Sequence, residues 1–175
     1  FAFVKVPESI RFNLTGNLHP GCTAKDVILH ILWKYAAKSE TLDRSMEFGG
    51  PGLSSLSMDE RATLCNMATE CSAKTGICDP DDLTVEWLMN RRSGLSREEI
   101  IDAFVIADVG AVYHGGVHTI DLDEIRPMVA HPGDPDKGSG AQAPPSRAPS
   151  ITHAQPTRHC DGLSLFPITF LQATV

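Results

Sequence analysis

The chain has 175 residues, 42% of them hydrophobic, which is enough to bury a core and fits one domain with a tail. A net charge of −7 and a pI near 5.4 disfavour nucleic acid or an anionic membrane as the main partner, because either would be repelled. No apolar run approaches the ~18 residues that cross a bilayer, and the opening Phe1-Ala2-Phe3-Val4 lacks a signal-peptide pattern; without an initiator Met, the chain is expected to begin inside a longer protein.

Residues 4–16 include Pro7 and then alternate Ile10, Phe12 and Leu14 against Arg11, Asn13 and Thr15, the period of two of a half-buried strand. A turn at 17–21 leads to Thr23, which can cap a helix from Ala24 to about Ala37 with Val27, Ile28, Ile31, Leu32 and Tyr35 on one stripe. His30, beside that stripe, reads as a structural histidine rather than a ligand. Ser45-Met46-Glu47-Phe48 is a short strand. The glycines of Gly49-Gly50-Pro51-Gly52 permit sharp turns, but their spacing matches neither phosphate-binding glycine motif.

The next stretch, 57–76, reads as one helix. Ser57 stands three residues before Glu60, the spacing of a capping box, and Gly76 can take the left-handed conformation that ends a helix. Ala62, Leu64, Cys65, Met67, Ala68, Cys71 and Ala73 are small or apolar, so much of it can be buried. Asn66 and Glu70, four apart, would share one face. Such a pair either meets water or is aimed at a ligand, and spacing alone makes water the simpler reading.

After an extended exit at 77–80, Asp81 or Asp82 can start a helix that runs through Trp87 to about Arg92, and Ser96 with Glu99 opens a short one to about Phe104. Residues 111–113 and 117–121 read as strands, with 125–130 as another, so helices alternate with strands in the manner of an α/β protein. From Gly133 to Arg158 the chain is rich in Gly, Pro, Ser and Ala without periodicity, which predicts a flexible linker. The domain is therefore placed at 1–132 and a disordered tail at 133–175. Within that tail, 163–175 is apolar enough to dock as a strand or to stay exposed, and His153, His159 and Cys160 resemble metal ligands by type only.

The five cysteines are Cys22, Cys65, Cys71, Cys78 and Cys160. An odd number at irregular spacing with no C-x-x-C speaks against a disulfide framework and against a self-contained metal site. Reduced thiols in a cytoplasmic or mitochondrial-matrix protein are the simpler account. A nucleophile at Cys65 or Cys71 would need a histidine base beside it.

Several stretches occur in a telling order: Val6-Pro7-Glu8-Ser9-Ile10, Thr15-Gly16, Ala24-Lys25-Asp26-Val27-Ile28-Leu29, Glu47-Phe48-Gly49-Gly50-Pro51-Gly52, Cys65-Asn66-Met67 with Glu70, and Ile120-Asp121-Leu122-Asp123-Glu124-Ile125-Arg126-Pro127. Over about residues 4–136 this resembles an internal part of the aconitase superfamily, in particular the large subunits of 3-isopropylmalate dehydratase and homoaconitase. The resemblance implies a three-layer α/β/α unit, incomplete at both edges. It also implies a hydro-lyase that removes water from a hydroxy di- or tricarboxylate and adds it back, with a [4Fe–4S] cluster whose open iron binds the substrate. Asn66 would approach that cluster and Glu70 would hydrogen-bond the iron-bound water or hydroxyl, which reverses the reading from spacing alone. The implied partners are the substrate and either a small subunit or a second copy.

The departures are as informative. The family's Ser-Cys-Thr-Asn segment and later C-x-x-C, which hold the cluster, do not occur, and from Gly138 onward the resemblance ends in what looks like a substituted C-terminus. The chain alone is therefore expected to bind no cluster and to be inactive. The competing reading is a non-catalytic α/β binding or regulatory module, or an inert truncation product.

Overall fold

In the computed structural model, which describes residues 3, 5–91, 94–131 and 134–140, the opening alternation becomes β1 (Ser9–Thr15). Ile10, Phe12 and Leu14 are fully buried on one side of it, while Arg11, Asn13 and Thr15 are half-buried on the other. Helix α1 (Ala24–Lys34) starts where Asp26 accepts a hydrogen bond from the Thr23 N–H at 2.8 Å, and its stripe of Val27, Ile28, Ile31 and Leu32 packs on the apolar side of β1. Strand β2 (Ser45–Gly49) lies parallel to β1, followed by a 3-10 turn at Pro51–Ser55 and helix α2 (Met58–Asn66). Strand β3 (Thr75–Cys78) lies parallel to β2, helices α3 (Asp82–Arg91) and α4 (Arg97–Asp102) follow, and β4 (Val117–Asp121) returns parallel to β1 on its free side.

The strand order β3-β2-β1-β4 identifies an α/β fold with an all-parallel sheet. Parallel neighbours need right-handed crossovers, so α1 and α2 share one face of the sheet, and they touch each other there. Met46, Phe48, Leu64 and Ile120 complete the core between that face and the helices. Gly50 is required at the end of β2: its φ is +89°, and a Cβ there would lie 2.6 Å from the Leu14 carbonyl oxygen.

Three expectations are corrected. The helix expected over 57–76 stops at Asn66; residues 67–72 continue as tight turns, Ser72 takes a φ of +58°, and the Ala73 N–H donates to the Ala68 carbonyl, so the left-handed exit is at Ser72 and Gly76 lies inside β3. The sheet dictates this, because Thr75 must align with Ser45. The exit is tied to the start of β2 by Asp43 N–H to Ser72 O (2.9 Å) and Lys74 N–H to Arg44 O (2.8 Å). Residues 111–113 form no strand: Gly115 and Gly116 bond Ser9 and Arg11, and β4 fills the rest of the place beside β1.

The third correction lies past Pro132. Strand β5 (Met128–His131) pairs antiparallel with β6 (Asp134–Gly140), a stretch read from composition as linker. Backbone ladders need no hydrophobic alternation, and this hairpin rests on α1, with the Met128 N–H donating to Asp26 at 2.8 Å and Gly138 against Trp33. The described residues belong to one compact unit. The expected disordered tail, with His153, His159, Cys160 and 163–175, lies outside the described residues.

Candidate functional site

Helix α2 is fixed at its start. The Ser57 N–H donates to Glu60 at 2.8 Å and the Glu60 N–H to the Ser57 hydroxyl at 3.3 Å, the reciprocal cap that the spacing predicted. One turn in, Arg61 is 2% exposed, a buried guanidinium with every direction accounted for. It donates to the carbonyls of Leu53 (3.0 Å) and Leu56 (3.1 Å) and forks onto both oxygens of Asp81 at 2.7 and 2.6 Å. Asp81 in turn accepts the Thr84 N–H at 3.1 Å and so caps α3. One residue thus joins the turn after β2, α2 and α3. Composition hides it, because an arginine in a helix reads as a solvent-facing residue.

The Arg61 guanidinium, followed by the Thr84 hydrogen bonds, holds the Asp81 carboxyl below its ordinary value. A carboxyl depressed in the folded state contributes stability above its unfolded pKa of about 3.9, and that contribution is lost as pH falls through the lower folded value. Urea titrations over an acid pH series are expected to show stability falling below about pH 4, with a shallower fall in Asp81→Asn; an equally steep fall in the variant would refute the assignment.

Asn66 and Glu70 sit where α2 gives way to the turns. Both side chains are exposed, while Ala68 and Cys71 between and beside them are buried. Neither makes a side-chain hydrogen bond or ion pair among the described residues. They are not stacked one turn apart on a regular helix, since Glu70 lies in the turns beyond its end. A helix that leaves the carboxyl end of β2 must return to the amino end of β3, so both residues lie at the amino edge of the sheet. The usual ligand crevice of open parallel sheets is the opposite edge, at the switch between β1 and β4. There Asp121 and Asp123 crowd Gly16, and Asp123 accepts from the Asn17 N–H at 3.2 Å.

The polar side of the sheet carries a second cluster. Arg11 on β1 forks onto Asp79 just past β3, donates to Asn13 at 3.1 Å, and stands 3.8 Å from Glu47 and 5.9 Å from the Tyr113 ring. Asp79 pushes the Arg11 pKa up, and burial does the same to Tyr113. The alternation of β1 did signal that Arg11 leaves the core, but not that Asp79 would meet it. His30 lies edge-on to Trp33, and burial followed by Lys34 lowers its pKa, as befits a structural histidine. Cys71 is buried, and the neighbour of the Cys65 thiol is Cys78 at 3.7 Å rather than a histidine base. Among the described residues, no three His, Cys, Asp or Glu side chains are grouped to hold a metal ion.

A family model for aconitase (aconitate hydratase) matches residues 2–160. The chain belongs to the aconitase family. The match runs past residue 136, beyond the stretch that the ordered motifs cover. This aconitase-family chain is 44% identical over 135 residues to the 3-isopropylmalate dehydratase large subunit of Helicobacter hepaticus, and 42% identical over 135 residues to the 2,3-dimethylmalate dehydratase large subunit of Eubacterium barkeri. Each match covers 77% of this chain and 30% of the relative. A fungal relative, aconitase htyD of Aspergillus rugulosus, is 39% identical over 132 residues, 75% of this chain and 15% of that protein. The chain thus spans less than a third of the length of these aconitase-family relatives.

Proposed function

We propose that this chain is the part of an iron–sulfur hydro-lyase that presents Asn66 and Glu70 to a hydroxy di- or tricarboxylate of the isopropylmalate or homoaconitate type. The observation that carries the reading is the identity above 40% to two dehydratase large subunits. An aligned stretch of 135 residues in a chain of 175 necessarily takes in positions 66–70. The geometry supports it in one respect: an amide and a carboxylate stand exposed and unengaged beside a buried Ala68 and Cys71, free to meet groups from outside the segment.

In this reading the Glu70 carboxylate holds or passes a proton at the reacting substrate and the Asn66 amide orients it by hydrogen bonding. A [4Fe–4S] cluster, typical of the family, would act as Lewis acid, and the Ser-Cys-Thr-Asn and C-x-x-C segments that the family resemblance assigns to it do not occur in this sequence. Its cysteines, the groups that bind the substrate carboxylates and a small-subunit or second-copy partner are therefore assigned to other polypeptide. The isolated chain should be inactive.

The test has two arms. In the complete polypeptide that carries this segment, loaded with its cluster and partner, Glu70→Gln is expected to lower kcat about 100-fold with KM little changed, and Asn66→Ala to act in the same direction. The isolated chain, treated with ferrous iron and sulfide, should yield neither a stoichiometric cluster nor turnover. An unchanged kcat in Glu70→Gln would hand the segment to the non-catalytic α/β module, and a stable brown, active species from the chain alone would overturn its incompleteness.

A further inference from the structure

We propose that Cys65 and Cys78 form a modification site, at which a small-molecule disulfide is captured and resolved into an intramolecular Cys65–Cys78 disulfide. The two sulfurs are 3.7 Å apart. A disulfide bond of about 2.05 Å asks them to approach by only about 1.7 Å. They sit on two regular elements rather than on loops: Cys65 in the last turn of α2, Cys78 at the end of β3. Those elements are pressed together, since a Cβ on Gly76 would lie 2.7 Å from the Cys65 Cα, and glycine is what lets strand and helix meet so closely. The pairing is therefore built into the packing of the fold.

The thiols are also reachable. Both are partly exposed and both line a cavity of about 280 Å3 whose walls include Met58, Ala62, Pro80 and Trp87. A reagent disulfide can bring one sulfur to Cys65 there while its remainder stays in solvent. Cys71, on the other hand, is buried in the core.

The chemistry balances as two exchanges. The Cys65 thiolate attacks one sulfur of the reagent, the reagent S–S bond breaks and one thiolate leaves, so that Cys65 carries a mixed disulfide. Cys78, deprotonated as it reacts, attacks the Cys65 sulfur and expels the second thiolate. The two protein protons end on the two released thiols, the cysteine pair loses two electrons, and the reagent gains them. The order of attack follows from the pair's own hydrogen bond, which lowers the Cys65 pKa; that same bond and burial raise that of Cys78. This site involves neither Glu70 nor an iron cluster and stands whether or not the hydro-lyase reading does.

The test uses the full chain with all five cysteines, folded, incubated with oxidised glutathione, blocked with N-ethylmaleimide and mapped without reduction by mass spectrometry. The expected main product is a linked Cys65–Cys78 peptide, with both thiols withdrawn from alkylation. Cys78→Ala, which keeps the apolar packing, should stop at a glutathione adduct on Cys65, and Cys65→Ala should give no intramolecular link to Cys78. Circular dichroism melts establish that each variant is folded during the reaction. The proposal fails if both thiols stay alkylatable while Cys22 is modified, if folded Cys78→Ala takes no adduct at Cys65, or if the linked peptide forms only in urea.

Discussion

Replacing Arg61 by alanine is expected to cost about 3–5 kcal/mol of folding stability, read as a lower urea midpoint at neutral pH. The estimate rests on what the side chain leaves behind. The Leu56 carbonyl loses its donor inside the structure, the Leu53 carbonyl keeps only the Leu56 N–H at 3.1 Å, and Asp81 loses the cation that draws it to α2 while still capping α3. A stranded carbonyl costs about 1–3 kcal/mol, and a cavity the size of a guanidinium and the loss of the partner of Asp81 add to that. Arg61→Lys should recover only part of the loss, because an ammonium cannot fork onto Asp81 and reach both carbonyls at once. Asp81→Ala should be nearly as damaging, since it strands a buried charge. A loss below about 1 kcal/mol in Arg61→Ala would mean that the three elements it joins do not depend on it.

The second large effect is expected at Phe12, where alanine should remove about 3–5 kcal/mol. Phe12 is fully buried on β1, an inner strand with partners on both sides. Its ring meets those of Tyr35 at 5.3 Å, His118 at 5.6 Å and Phe48 at 5.8 Å, so it touches α1's cap residue, β4 and β2 together. Few neighbours can move into the vacated space without breaking a ladder, so the cavity persists and its cost adds to the lost transfer energy. Phe12→Leu keeps most of the volume and should cost under about 2 kcal/mol. Equal losses for leucine and alanine in calorimetric melts would show that ring packing, rather than filled volume, dominates.

These two residues also show how far the sequence could be read. Phe12 was legible, because a period of two marks one side of a strand and Ile10 and Leu14 repeat the message; the stripe of α1 and both serine caps were legible for the same local reason. Arg61 was not, because nothing local distinguishes an arginine that will meet Asp81 twenty positions on from one that faces water. The end of α2 was missed for a related cause. Its apolar run continues past Asn66, and only the need to align Thr75 with Ser45 turns the chain at Ser72. Strand β6 carries its pairing with β5 in the backbone, so its own glycine-containing composition said linker, whereas β5 overlaps the stretch 125–130 read as a strand. At the candidate site the order of motifs singles out Asn66 and Glu70, whereas their placement in space depends on where the helix stops.

The strand order has a consequence for synthesis. β1 lies between β2 and β4, but 72 residues separate the end of β2 at Gly49 from the end of β4 at Asp121. At about 5–20 residues per second a ribosome needs roughly 4–14 s to make them. For that interval one side of the central strand has emerged without its mate, and a nascent chain must keep that row of amides from other strands. A pause or a chaperone footprint between those positions would be the cellular trace of a sheet whose middle is made first and closed last.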